Sequence, residues 1–358
     1  MDKSFDYEDG DEPFNLVDFG IQKKDLIKEK IRENNPVTSL TLKILKVYKT
    51  CSNTYSYDES MKPKRALTDP ETGIYNDGVD NEEYDLIVKV DDEIQSPNNK
   101  YKIIDILGKG VSGQVFCCSR ETDNKLYAIK IIRNKVAYST QALLELKILD
   151  ILNNSVDPKD QYHIIRKHDH FSFKRHTCIV FELLDLNLFD LLKKNHFSGL
   201  TLKTISYLIK DVLEAVYQLH KINIIHTDIK PENILLKIEK EDNANKITVK
   251  LTDFGSACYK NNTFLKYIQS RYYRSPEVLI GYPYNLGIDI WSVGCIAAEL
   301  FFGSPIFAGV TEYDQLFQIV NFFKETPYYF IRGDKCKKYM EMNQNGFRFK
   351  NREQYYNV

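Results

Sequence analysis

The stretch His226-Thr-Asp-Ile-Lys-Pro-Glu-Asn233 brings a carboxylate, an ammonium and an amide close together, and Asp253-Phe-Gly255 adds a second carboxylate twenty residues after Asn233. Asp228 can accept a proton from an attacking hydroxyl. Asn233 and Asp253 offer hard oxygens of the kind Mg²⁺ takes on a polyphosphate. Lys230 puts positive charge where a transferring phosphoryl group gathers negative charge. Alone, an Asp-x-Lys or an Asp-Phe-Gly is usually a polar turn between strands. Both in this order and at this spacing point to metal-assisted phosphoryl transfer.

Such loops need strands to hold them. Ile222–Ile225, Ile234–Leu236 and Ile247–Leu251 have the apolar character of those strands, with a polar hairpin loop expected over Lys237–Lys246. Upstream, Tyr101–Leu107 predicts a strand, followed by Gly108-Lys-Gly110-Val-Ser-Gly113-Gln-Val115. Glycines let backbone N–H groups approach phosphates closely, although the same string occurs in plain hairpins. A dinucleotide site would need a helix directly after the glycines. Val115–Ser119 and Leu126–Ile132 look like strands instead. Lys130 lies in the second of these and needs a partner if buried. Glu145 is its candidate, on a helix expected over Ser139–Leu152 with Ser139 or Thr140 as cap and Leu146, Leu149 and Leu152 facing inward.

Cys178–Leu184 predicts a buried strand running into a linker. Leu200–His220 predicts an amphipathic helix, with Leu202, Ile205, Leu208, Ile209, Val212 and Val216 on its core side. Asp289 opens a very apolar helix that runs to Leu300 and beyond. It is either a plain helix cap or a buried carboxylate bonding the backbone of the catalytic loop.

The 358 residues suffice for a sizeable core and one or two domains. Lys plus Arg, 49, nearly balances Asp plus Glu, 50, so no global basic field argues for nucleic acid. Seven scattered cysteines without a CxxC pair fit a reduced, intracellular protein, cytoplasmic or nuclear. No apolar run is long enough to span a bilayer. Residues 1–75 are expected to form a partly disordered extension, with a short amphipathic helix over Lys23–Asn35 and an ambiguous apolar stretch over Leu40–Thr50. The basic Lys62–Arg65 fits a solvated loop. Asp69–Gln95 carries ten acidic residues against one lysine. Within it Asn76-Asp-Gly78 predicts a turn and Tyr84–Val88 a strand, so part of this acidic stretch is expected to pack.

Taken together, Tyr101 to about Tyr313 resembles the protein kinases. Tyr267-Ile-Gln-Ser-Arg-Tyr-Tyr-Arg-Ser-Pro-Glu-Val-Leu-Ile-Gly281 resembles the dual-specificity tyrosine-regulated (DYRK) family of the CMGC group. Asn76–Val88 resembles the homology box, assigned to 76–95, that precedes the kinase domain in that family. Ile288–Phe302 and Arg65–Thr68 look most like its Yak-type branch. The resemblance implies an α+β, bilobal kinase-like fold over 101–358. Its N-lobe, 101–183, would be a small antiparallel sheet with one main helix, and its C-lobe, 184–358, mostly helical. It implies ATP and Mg²⁺ as cofactors and a monomer acting on Ser/Thr of protein substrates, with Pro favoured after the target.

Residue by residue, the resemblance makes Asp228 the base, Lys230 its phosphate-side partner, Lys130 and Glu145 the ion pair, and Asn233 and Asp253 the metal ligands. Gly108, Gly110, Gly113, Val115, Ala128, Lys130, Phe181, Glu182, Leu184 and Leu235 would surround the nucleotide, with Phe181 as gatekeeper. Tyr267 corresponds to the tyrosine such kinases phosphorylate on themselves, with Arg271 and Arg274 nearby for its phosphate. Arg274 also matches the arginine that favours proline.

Three positions depart from the pattern. Thr227 stands where most kinases have Arg. The family's paired activation-loop tyrosines read here as Leu265 and Tyr267, leaving one. The glycine-loop tip, Val111-Ser112, lacks an aromatic. Only 67 residues follow Trp291 (358 minus 291), and Phe347–Tyr356 looks like the CMGC insert, so the last C-lobe helices are expected to be missing. That expectation keeps a second reading open: an inactive, nucleotide-binding pseudokinase or scaffold. A third reading, a non-kinase P-loop NTPase, is disfavoured because no GxxxxGK[ST] occurs.

Overall fold

The computed structural model describes residues 64–240, 245–261, 267–324, 332–343, 346–350 and 355. The stretches expected at Lys23–Asn35 and Leu40–Thr50 lie outside them, as do Lys62 and Leu265. Two lobes are present, as the resemblance implies. The first is a six-stranded antiparallel sheet in the order β1-β2-β3-β4-β6-β5. Its strands are β1 (Glu93–Gln95), β2 (Lys100–Lys109), β3 (Gly113–Arg120), β4 (Leu126–Ile132), β5 (Lys167–Phe173) and β6 (His176–Glu182). Helix α1 (Val136–Ile151) packs beneath it.

Alternation explains strand β2. Tyr101 and Ile103 are buried while Lys102 and Ile104 face out. Tyr101, Phe116, Ile129, Cys178 and Val180 then share one core on the outer side of the sheet, and Leu67, Leu86, Val88 and Ile94 of the preceding segment join it. Tyr84–Val88 is thus packed as expected, but not as a strand. It makes only an isolated bridge, Asp80 with Leu86. The expected turn is present, with Asn76 and Asp77 in the left-handed region at φ 54° and 59°.

The second lobe holds α2 (Leu188–Lys194), α3 (Leu202–Lys221), β7 (Ile224–Ile225), the hairpin β8 (Ile234–Lys240) with β9 (Asn245–Leu251), and β10 (Cys258–Tyr259). It continues with α4 (Pro276–Leu279), α5 (Gly287–Phe302), α6 (Glu312–Phe323), α7 (Cys336–Tyr339) and the hairpin of β11 (Met340–Asn343) with β12 (Gly346–Phe349). The loop expected over Lys237–Lys246 is mostly this first hairpin's two strands. Among the described residues no helix is long and apolar enough to cross a membrane.

Helix α3 is capped by Thr201, whose side chain accepts from Thr204 N–H. It buries Ile205, Leu208, Val212 and Val216, whereas Leu202, at its first turn, is exposed. Helix α1 starts earlier than expected. It begins after Lys135, without a side-chain cap, and Thr140 Oγ1 donates to Val136 O inside the helix. Leu146, Leu149 and Leu152 do face inward. Helix α5 stops at Gly303, φ 78°, where a Cβ would lie 1.8 Å from Phe197 O, so glycine is required.

Candidate active site

Strand β7 pairs with β10 and so closes the loop between them. Asp289, in the first turn of α5 and fully buried, accepts from the N–H groups of His226 (2.9 Å) and Thr227 (3.0 Å). His226 Nε2 lies 2.9 Å from Thr252 O, and its ring packs on Phe254. These contacts hold the backbone on which Asp228 follows.

The Asp228 carboxylate is held from two sides. Lys230 Nζ lies 2.7 Å from Oδ2, while Ser270 donates its N–H and Oγ–H to Oδ1 at 3.1 and 2.8 Å. Asn233 Nδ2 donates to Asp228 O at 2.8 Å. With its N–H groups so directed, Asn233 has its amide oxygen left for a cation.

Lys130 Nζ sits 2.8 and 3.0 Å from the two oxygens of Glu145 and 2.9 Å from Asp253 Oδ1. Burial alone would discharge this ammonium. The Asp253 and Glu145 carboxylates more than offset that and hold its pKa above the lysine value. The Lys130 charge in turn pulls Asp253 down to about 2. Asp253 has φ 60°, and its side chain is 46% exposed. Gly255 packs against the same charges: a Cβ there would be 3.2 Å from Asp253 Oδ1 and 3.3 Å from Glu145 Oε2.

The remaining expected residues fall on neighbouring strands. Val115 is opposite Lys130, Ala128 is opposite Phe181, and Leu235 bridges to Asn187 just past the linker. Gly108 lies near the end of β2, Gly110 in the turn and Gly113 at the start of β3, where a Cβ would lie 2.0 Å from Ile131 O. Phe181 and Leu184 are buried. The Glu182 side chain turns away into a charge cluster, accepting from Arg166 N–H and from Lys250.

Residues 101–345 match the protein kinase domain family. This chain belongs to the protein kinase family. It is 47% identical over 292 residues to the probable serine/threonine-protein kinase yakA of Dictyostelium discoideum, covering 81% of this chain and 20% of yakA. Identity is 41% over 309 residues to the dual specificity protein kinase YAK1 of Saccharomyces cerevisiae, covering 86% and 38%. It is 38% over 316 residues to human dual specificity tyrosine-phosphorylation-regulated kinase 4, covering 85% and 59%. The kinase is therefore of the Yak-type DYRK kind within the CMGC group. It spans between a fifth and three fifths of the length of these relatives.

Around the kinase cleft, sequence reasoning missed Ser270, which grips Asp228 from 42 positions away. Ser270 lies within the DYRK-like stretch Tyr267–Gly281, but nothing in that stretch links it to Asp228. It also missed Gln141, on α1, whose side-chain amide donates to Gly255 O. Thr227, in place of the usual arginine, sits at φ 68° and donates Oγ–H to Ser256 O at 2.7 Å. Tyr267 is 71% exposed, with the Arg274 guanidinium 4.2 Å from its ring centre. Arg274 is itself buried and also reaches Glu312 at 3.0 Å. Arg271 Nη1 donates to Val310 O, and its Nε is buried without a partner among the described residues.

Proposed function

We propose that this kinase transfers the terminal phosphoryl group of ATP to serine and threonine hydroxyls of protein substrates, and that it phosphorylates its own Tyr267. One observation carries the reading: a single ammonium, Lys130, is shared by Glu145 and Asp253. It joins strand β4, helix α1 and the Asp-Phe-Gly turn across one cleft.

In that cleft Lys130 would hold the α- and β-phosphates, and the backbone of Gly108–Gly113 would cover them. The hard oxygens of Asn233 and Asp253 suit magnesium, which when bound supplies charge neutralisation at the phosphates. Asp228 is placed to accept the hydroxyl proton, and Lys230 to offset the charge that develops beside it.

Arg274 supports a preference for proline after the target. Gln269, at φ 61°, turns its carbonyl toward the arginine, whose Nη2 donates to it at 2.7 Å. A carbonyl so occupied is not free to accept from a substrate N–H, and proline has none. For Tyr267, the Arg274 hydrogen bond and charge, then the Arg271 charge, lower the phenol pKa and would pair with a phosphate.

The test is phosphosite mapping on the chain incubated with Mg-ATP and a serine- or threonine-containing protein, beside Asp228→Asn. Phosphate on the substrate and on Tyr267 is expected in the parent, with turnover lower by roughly 10²–10⁴ in the variant. A folded chain that binds nucleotide yet yields no phosphate would make it a pseudokinase.

A further inference from the structure

Lys109 is the middle residue of Gly108-Lys109-Gly110, in the loop assigned above to the nucleotide phosphates. Its ammonium does not stand free. Lys109 Nζ donates to Asp69 O at 2.8 Å and lies 2.7 Å from Glu83 Oε2 and 3.5 Å from Asp85 Oδ2. An ammonium has three donors, and three acceptors of one segment surround this one. All three precede residue 101, where the match to the kinase family begins.

The same two carboxylates hold the other side of the loop. Arg133, just past β4, grips Asp85 with Nε at 2.8 Å and Nη2 at 3.1 Å, and reaches Glu83 with Nη2 at 2.8 Å. Its backbone N–H donates to the carbonyl of Ser112, at the loop tip, at 2.9 Å. Gln114, where β3 leaves the loop, donates to Leu86 O at 3.4 Å. Entry, tip and exit of the loop are thus all tied, directly or through Arg133, to residues 69–86.

The anchor is firm. Asp80 and His176 are both fully buried, with His176 Nε2 2.8 Å from Asp80 Oδ1 and Nδ1 2.7 Å from Ile132 O. Asn134 bonds Tyr84 O through its N–H and Asp80 Oδ2 through Nδ2, at 3.0 Å each.

We propose that Glu83 and Asp85 are positioning residues for the phosphate loop: they hold it through Lys109 and Arg133, so that the segment ahead of the kinase domain sets nucleotide affinity. The proposal rests on the loop's assignment to ATP. It also assigns Lys109 to the tether and not to a phosphate.

Glu83 is partly exposed, so its substitution spares the fold, unlike that of buried Asp85. The experiment uses the whole chain as Glu83→Gln, Lys109→Met, the double variant and Lys109→Arg. KM for ATP is expected to rise roughly two- to five-fold in Glu83→Gln and in Lys109→Met, the size of a partly exposed ion pair, with kcat retained. The double variant should be no worse than Lys109→Met, and Lys109→Arg should restore most of the loss. If Lys109→Met raises KM while Glu83→Gln leaves or lowers it, the lysine serves the phosphates and the tether is refuted. Hydrogen exchange of residues 108–115 without nucleotide decides independently of activity. Faster exchange in Glu83→Gln supports the tether even if the chain proves inactive, and unchanged exchange overturns it.

Discussion

Asp289 touches no reacting atom, yet three groups of the catalytic loop region converge on it: the N–H groups of His226 and Thr227, and His220 Nε2 at 3.1 Å. Replacing it by alanine would leave two buried backbone donors unpaired, at about 1–3 kcal/mol each. Asp289→Ala should therefore lower the midpoint of chemical unfolding and also kcat, because Asp228 lies one residue beyond Thr227. Asp289→Asn keeps the shape but only one acceptor oxygen, and should recover part of both losses. Unfolding curves and initial rates on the three proteins check this. The carboxylate's bond to the loop backbone could be foreseen, since an acid opening so apolar a helix needs buried donors. Ser270 could not. Its grip on Asp228 exists only because the chain returns 42 residues later, and no periodicity or local motif encodes such a return.

Elements were legible where their pattern was periodic and blurred where ends were set by tertiary contacts. Strand β4 follows its apolar run from Leu126 to Ile132. Helix α1, by contrast, begins at Val136 and ignores the capping residues Ser139 and Thr140, because Lys135 is held by the preceding turn through its N–H to Arg133 O. Helix α6 shows how charge joins elements. Glu312, in its first turn, meets Arg274 of the activation segment, Lys335 at 3.0 Å and the Tyr339 hydroxyl at 3.0 Å. Burial would raise the Glu312 carboxyl pKa. The bonds from Lys335 and Tyr339 and the charges of Lys335 and Arg274 outweigh that and hold it below the ordinary glutamate value. A depressed carboxyl contributes stability that is complete above the unfolded value, 4.5, and lost as pH falls through the folded one. Glu312→Gln should accordingly be less stable than the parent at pH 7 and lose less stability between pH 6 and pH 3.5. Equal slopes in unfolding free energy against pH would exclude the carboxylate as a linked group.

At the scale of the whole molecule, the residues that match the kinase family and the residues that complete its first lobe are not the same set. The match begins at residue 101. The outer core of the sheet also needs Leu67, Leu86, Val88 and Ile94, each buried to 8% exposure or less. Burying one such side chain contributes about 1.5–3 kcal/mol, against a whole-domain margin of about 5–15 kcal/mol. An acidic stretch with ten carboxylates would ordinarily be a solvated linker, and its alternation was too short to give a strand. What packs it is shape: Leu86 and Val88 fill the sheet's outer face while Thr68 bonds Leu86 O and Val88 N–H at 2.9 and 3.1 Å. Leu86→Ala therefore discriminates between a linker resting on the surface and a built part of the lobe. A linker position would change unfolding free energy within about 0.5 kcal/mol. A core position should lose about 2–5 kcal/mol, since the cavity cannot be closed by a sheet already fixed on its other side. Chemical unfolding of the whole chain measures the difference. Hydrogen exchange should place the loss in β2, β3 and β4, because these strands, not the helices of the second lobe, share the cavity wall.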